Sequence, residues 1–311
     1  APLADSLSFT PPSTVVKGGS LTLSATLTSS GSGVNGQNVT FTLAPLGSNQ
    51  SCTASTDSSG LASCTLPTPV AAYPGTRTVT ASFSGGSDST GNYSYPAITK
   101  PSTINVLNQT LTYTGDSTAV TGGTITLSAQ LLVDGSGVQG ETLQFSLAPL
   151  GANQTCQGIT NSTGTASCTI TSVKAYPGTR SVTVLFQGDT LPSPAYPIQA
   201  TTSTVNIQPF SLQYTGDSVL HDGSSATLSA KLTLNGSAVN GEPLTLTLAP
   251  LGANQSCNAQ TGSDGTATCT ISNVTAYPGP RTVTVSFAGD PANSPPLPAA
   301  TLSTTVTVQS T

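Results

Sequence analysis

The chain has no methionine, no tryptophan and one histidine, and only 6% of its 311 residues are charged. A typical soluble domain carries about 25% charged residues. Each shortage closes a class of function. The seven basic residues, Lys17, Arg77, Lys100, Lys174, Arg180, Lys231 and Arg281, are scattered. Phosphate neutralisation needs clustered cations, so nucleic acid is not an expected partner. No apolar run approaches the ~18 residues that cross a bilayer as a helix, so no membrane span is expected. A lone histidine leaves a zinc site without imidazole support, and no cofactor is expected. The low charge does not read as disorder. Net charge is only −5 and the 35% hydrophobic residues are regularly spaced, whereas disordered chains combine high net charge with unpatterned composition.

What the chain does contain, it contains three times. The stretch LAPLGSNQSCTASTDSSGLASCTL runs from Leu43 to Leu66, and close copies run from Leu147 to Ile170 and from Leu248 to Ile271. A period of about 100 residues is the size of a whole domain, not of a solenoid unit. Three domains are expected, at 1–107, 108–208 and 209–311. All six cysteines fall in the repeated stretch, as Cys52 and Cys64, Cys156 and Cys168, and Cys257 and Cys269, each pair separated by eleven residues. That gap is not a ligand spacing, so the pairs read as disulfides formed in an oxidising compartment. The start at Ala1 without methionine fits an exported protein whose signal peptide has been removed.

Strict alternation marks the strands. Leu21, Leu23, Ala25 and Leu27 face one way while Thr22, Ser24 and Thr26 face the other, and the pattern repeats at Ile125 to Leu131 and Ala226 to Leu232. Period-two alternation of this kind belongs to half-buried strands. Further alternating runs carry Val39, Phe41 and Leu43, and then Val79, Ala81 and Phe83, with equivalents in the other copies. Each cysteine pair brackets a turn sequence, Asp57 to Gly60, Asn161 to Gly164 and Ser263 to Gly265, in which Asp or Asn accepts local hydrogen bonds and Gly tolerates positive φ. A closing strand is expected near Ile104 to Val106, Val205 to Ile207 and Val306 to Val308. About seven short strands per hundred residues, with no helical periodicity, argue for an all-β sandwich.

The order of a VxFxL-like strand, Cys, Gly turn, ASCT, PG(T)RxVTxxFxGD and a closing TV strand resembles bacterial immunoglobulin-like domains of the group 3 type, over all three repeats. The resemblance implies three tandem immunoglobulin-like β-sandwiches and leaves function open, because such domains serve as stalks, spacers and adhesive surfaces. One departure matters. An eleven-residue gap is shorter than an inter-sheet bridge between distant strands requires, so each disulfide is expected to staple a local hairpin. The junctions Val106 to Leu111 and Ile207 to Ser211 hold no Gly/Ser linker. A fairly rigid rod of roughly 100–130 Å is expected, from strands rising ~3.3 Å per residue plus loops.

Candidate chemistry is sparse. Acidic residues such as Asp57, Asp88, Asp134 and Asp264 sit in turn sequences and show no facing carboxylate pair of the glycosidase kind. His221, where the other repeats carry Val16 or Val120, reads as a surface turn and not as a base with Asp222. Asp116 and Asp217, with Asp189 and Asp290, are weak calcium candidates, since nothing approaches a DxDxDG loop. The lysines do not recur in the way an isopeptide cross-link requires. Acceptor triplets place glycosylation candidates at the equivalent residues Asn49, Asn153 and Asn254. Arg77, Arg180 and Arg281 recur at the start of one strand and read as packing or solvated residues, with pairing to Glu141 or Glu242 as the other option.

The chain therefore reads as a non-enzymatic structural protein of the bacterial surface, self-assembling into a fibre, sheath or filament. Ala1, Pro2 and Leu3 would meet the region of Val306 and Val308 of a neighbour, head to tail or by strand addition. The alternative is an adhesin stalk or carbohydrate-binding spacer, with surface glycans as partner and Tyr93, Tyr95 and Tyr196 as loop aromatics. Specificity is expected at the chain ends and in the loop from Ser87 to Pro101.

Overall fold

The computed structural model describes residues 5–44, 50–67, 69–148, 154–191, 194–249 and 254–310. Every element among them is a strand. Domain 1 holds β1 (Asp5–Phe9), β2 (Thr14–Val16), β3 (Thr22–Ser29), β4 (Ser32–Gly33), β5 (Asn38–Ala44), β6 (Gln50–Ser55), β7 (Leu61–Thr65), β8 (Gly75–Phe83), β9 (Gly86–Ser87), β10 (Ser94–Tyr95) and β11 (Ile98–Leu107). Domain 2 holds β12 (Gln109–Tyr113), β13 (Thr118–Val120), β14 (Ile125–Val133), β15 (Ser136–Gly137), β16 (Thr142–Leu147), β17 (Gln154–Ile159), β18 (Thr165–Ile170), β19 (Gly178–Phe186) and β20 (Gln199–Gln208). Domain 3 repeats that set as β21 (Phe210–Tyr214), β22 (Val219–His221), β23 (Ala226–Leu234), β24 (Ser237–Ala238), β25 (Pro243–Ala249), β26 (Gln255–Gln260), β27 (Thr266–Ile271), β28 (Gly279–Phe287) and β29 (Ala300–Gln309).

Each domain is a sandwich of two sheets. In domain 2, β12, β14, β15 and β18 form one sheet, and the other runs in the order β13, β20, β19, β16, β17. Alternation does the sorting. Leu127, Ala129 and Leu131 of β14 and Phe145, Val184 and Val205 of the facing sheet point inward and are fully buried, while the Thr and Ser between them face water. The large buried side chains include Phe41 and Phe83 in domain 1 and Phe145 and Phe186 in domain 2. Burying each contributes about 1.5–3 kcal/mol.

The first strand of each domain is split. β12 pairs antiparallel with β14 in one sheet, and then β13 crosses to pair parallel with β20 in the other. The closing strands are longer than expected, ten residues each, and β11 takes in Ile98 to Pro101, which the sequence assigned to a loop.

The cysteine stretch corrects a larger expectation. Cys52 lies on β6, which pairs with β5, whereas Cys64 lies on β7, which pairs with β3 in the opposite sheet. The same holds for Cys156 and Cys168 and for Cys257 and Cys269. The bridges Cys52–Cys64, Cys156–Cys168 and Cys257–Cys269 therefore join the edges of two sheets and do not staple hairpins.

Local chemistry turns the corner. Thr160 still belongs to the five-stranded sheet, where its N–H donates to Glu141 O at 2.8 Å and its buried Oγ1 accepts from Glu141 N at 2.8 Å. Four residues later, Gly164 O accepts from Leu131 N in the other sheet. Gly164 has φ +77°, and a Cβ there would collide with the Leu131 carbonyl oxygen, so only glycine fits. Thr56 and Thr261 hold the same buried position in the other domains.

Candidate functional site

Among the described residues, the features that recur in all three domains are structural. They are the faces where domains meet, a rigid aromatic loop, and the exposed strand edges.

One residue, Asn108, separates β11 from β12, and Pro209 alone separates β20 from β21. Asn108 N donates to Asp134 Oδ1 at 2.7 Å and its carbonyl accepts from Asp134 N, which fixes the first junction against the next turn. The Gly18-Gly19 turn of domain 1 then lies against the Pro-rich loop of domain 2, so close that a Cβ on Gly18 would sit 3.8 Å from Pro197. Gln109, 8% exposed, donates from Nε2 to Pro197 O at 2.9 Å and to Gln199 Oε1 at 3.1 Å. At the second junction the contact is apolar. Val120 of domain 2 is fully buried in the hydrophobic cluster of domain 3, which also holds Leu297. A Cβ on Gly123 would lie 3.3 Å from Pro296 O.

Val16 and Val120 share one register position, opposite Leu107 and Gln208 of the closing strands, and both are 0% exposed. The residue at that position in domain 3 is His221, opposite Gln309, and it is exposed. It stands beside Asp222, which lines a shallow depression with Gly223, Asn273, Thr275 and Tyr277. His221 thus occupies the end face of the third domain, at the place where the first two domains receive their neighbour.

The Tyr-Pro-Gly loops surround these faces. Arg77 Nε donates to Tyr73 O at 2.8 Å and its guanidinium also reaches Pro74 O at 2.9 Å. Arg180 does the same to Tyr176 O and Pro177 O, and Arg281 bonds Pro278 O and Pro280 O. The recurrent arginines therefore fasten the turn and do not pair with Glu141 or Glu242. A glutamine clamp works from the other side, with Gln154 donating to Ser172 O and accepting from Lys174 N, both at 2.7 Å. Gln255 repeats it on Asn273 and Thr275. The clamped loops hold Tyr73, Tyr176 and Tyr277 out at 56%, 61% and 67% exposure.

The acidic candidates are occupied by the backbone. Asp116 Oδ2 accepts from Thr126 N at 2.7 Å, and Asp217 Oδ2 from Thr227 N at 2.9 Å. Asp189 and Asp290 accept from Leu191 N and Ala292 N. Their charge also reaches Glu141 and Glu242, whose carboxyls are pushed above the ordinary range by burial first and by the neighbouring aspartate second. Among the described residues, no three His, Cys, Asp or Glu side chains gather as a metal would require.

Tyr113 and Tyr214 close the bend after the first strand by donating to Asp116 O at 2.8 Å and Asp217 O at 2.9 Å. Burial, and then the nearby aspartate, push both hydroxyls up to about 12 from an ordinary 10.0. A value raised on folding means stability fully present below pH 10 and lost as pH climbs through about 12. Tyr113→Phe should cost domain 2 about 1 kcal/mol at neutral pH, the net worth of one such bond. It should also remove part of that alkaline loss, as read by urea unfolding at pH 7 and pH 11. Domain 1 has Phe9 at this position and should lack the effect.

Asn49 and Asn153 lie outside the described residues, as do Ala1, Pro2 and Leu3. Asn254 is exposed just before β26. Val306 and Val308 are both 1% exposed in the core of domain 3, on a strand that pairs with β28 over Ala300 to Val308 and with β22 over Thr307 to Gln309. Tyr93 is likewise committed, its hydroxyl donating to Asp5 Oδ2 at 3.1 Å and its ring packing edge-on to Tyr95 at 4.9 Å.

No family model matches the chain, and no curated protein matches it. Among solved structures, it is similar to the tetra-tandem repeat in the extending region of a large adhesion protein, at 18% identity, TM-score 0.27, covering 98% of this chain and 74% of that one. It is also similar to a structure from a 1.5-MDa bacterial ice-binding adhesin, at 17% identity, TM-score 0.34, covering 100% and 99%. A third is a membrane-anchored protein from Corynebacterium diphtheriae, at 13% identity, TM-score 0.26, covering 98% and 89%.

Proposed function

We propose that this chain is a structural subunit of the bacterial extracellular surface, built of immunoglobulin-like domains of the group 3 type, that self-assembles into a fibre or sheath. The observation that carries the reading is the construction of the junctions. A residue of domain 2 is part of the core of domain 3, and connections of a single residue leave little room for bending. Domains coupled in this way transmit position along a chain, which a flexible string of beads does not. Three disulfides with no free cysteine belong to an oxidising compartment and fit export. Faces almost free of charge can pack side by side with little desolvation cost.

A second reading is an adhesin stalk or carbohydrate-binding spacer. It is favoured by the rigidly held, exposed Tyr73, Tyr176 and Tyr277, since an exposed aromatic ring can stack on a sugar. Negative-stain microscopy of the oxidised chain over a concentration series tests the first reading. Filaments or sheets that grow with concentration are expected. Single rods at every concentration overturn self-assembly and leave the stalk.

A further inference from the structure

We propose that β17, the outer edge of the five-stranded sheet of domain 2, is an interface between copies of this chain, pairing antiparallel with the β17 of a second copy about a two-fold axis. The proposal rests on the self-association reading above and assigns it a surface.

β17 is hydrogen-bonded to β16 on one side, and among the described residues no strand pairs with its other side. An unpaired edge is a template for another chain, and proteins that avoid such pairing blunt it with charge, proline or brevity. At the far edge of the same sheet, Gln199 to Val205 of β20 have no partner strand on their outer side among the described residues, and only Asn206 to Gln208 are covered, by the three-residue β13. Its counterparts in the other domains are followed by Lys17 and by Asp222. β17 has none of these devices. It is six residues long, QTCQGI, without charge or proline.

Domain 2 adds something that its neighbours lack. Ile159, at the end of β17, is 69% exposed, where β6 ends in Ser55 and β26 in Gln260. On the same outer face Leu185 stands opposite Gln144, at the position of Ser82 in domain 1 and Ser286 in domain 3. Leu185, Gln144, Thr155 and Gln157 line a shallow groove beside the edge. A bare edge and an apolar rim therefore coincide in one domain.

The occupant that fits is the same strand. An antiparallel edge offers alternating N–H and C=O groups, and a two-fold axis presents each to its own counterpart, so the surface is complementary to itself. No charge on either strand opposes the approach. Paired about Gln157, each Ile159 faces Thr155 of the other copy at the rim of the Leu185 groove. An acidic or basic peptide finds no counter-charge on this strand.

The test uses the full-length oxidised chain in sedimentation equilibrium, with amide exchange of residues 155–159. Gln157→Lys, which places a charge on the edge, should weaken association at least tenfold. Ser181→Lys, the same charge on the same face but on β19, which is paired on both sides, should change it less than twofold. Protection of the β17 amides should rise with concentration in the unsubstituted chain and in Ser181→Lys, and stay flat in Gln157→Lys. Association indifferent to Gln157→Lys overturns edge pairing while self-assembly stands. A chain monomeric at every concentration overturns both. Equal weakening by the two lysines overturns the edge and points to the whole face.

Discussion

Val120→Asp should uncouple domain 3 from domain 2, whereas His221→Asp should change almost nothing, although the two residues hold the same position in successive repeats. Val120 is 0% exposed within the core cluster of domain 3, and His221 is exposed on the end face. A carboxylate at position 120 has no partner, and an uncompensated buried charge costs about 3–5 kcal/mol. The chain has one escape, which is to part the domains and let the aspartate reach water. The observed loss is then limited to the free energy of the junction, including the roughly 1.5–3 kcal/mol that burial of Val120 contributes. Either way the thermal transition of domain 3 should fall and separate from that of domain 2 in calorimetry, and the end-to-end distance should broaden in scattering. At His221 the change should stay within about 0.5 kcal/mol, as for other surface substitutions. Equal sensitivity at both positions would show that the junction carries no coupling.

This contrast was partly legible in the sequence, which shows His221 where the other repeats have Val16 and Val120. Alternation alone could not show that those valines face another domain, because period two gives the face of a strand and not what covers it. The same limit explains the misread cysteine stretch. A hairpin and a strand that changes sheets present identical alternation on both sides of a Gly turn. The distinguishing signal lay in Thr56, Thr160 and Thr261, polar residues at inward positions of the alternation, buried because they bond the backbone where the chain leaves its sheet. The split first strand escaped for a different reason. Three residues of β13 are too few to establish a period, and their parallel pairing joins segments nearly ninety residues apart. The short junctions were readable from the absence of linkers, but the exposure of Ile159 was not. Its position in the alternation is outward, and only the topology shows that β17 is an edge.

Removing the bridge of domain 2 by Cys156→Ala with Cys168→Ala should cost that domain about 3 kcal/mol, the chain entropy of closing a loop of this length. For a domain near 100 residues each kcal/mol moves the melting temperature by about 4–8 °C, so a fall of roughly 12–24 °C is expected in calorimetry. The position of the bridge decides which motions are released. A staple within a hairpin would, once cut, let the turn from Asn161 to Gly164 fray while the sandwich stayed closed. This bridge joins β17 at the edge of one sheet to β18 in the other, on a flank where the chain itself crosses at the arch from Asn161 to Gly164 and at Val138 to Glu141. Cutting it frees the two sheets to part along that flank, so protection should fall together for β14 in one sheet and β19 in the other. Amide exchange separates the cases. Loss confined to residues 160–165 would return the bridge to a local role, whereas a common decline across both sheets matches a bond that holds the sandwich closed. Domains 1 and 3 keep their own bridges and should melt as before, except where the Val120 contact ties domain 3 to its weakened neighbour.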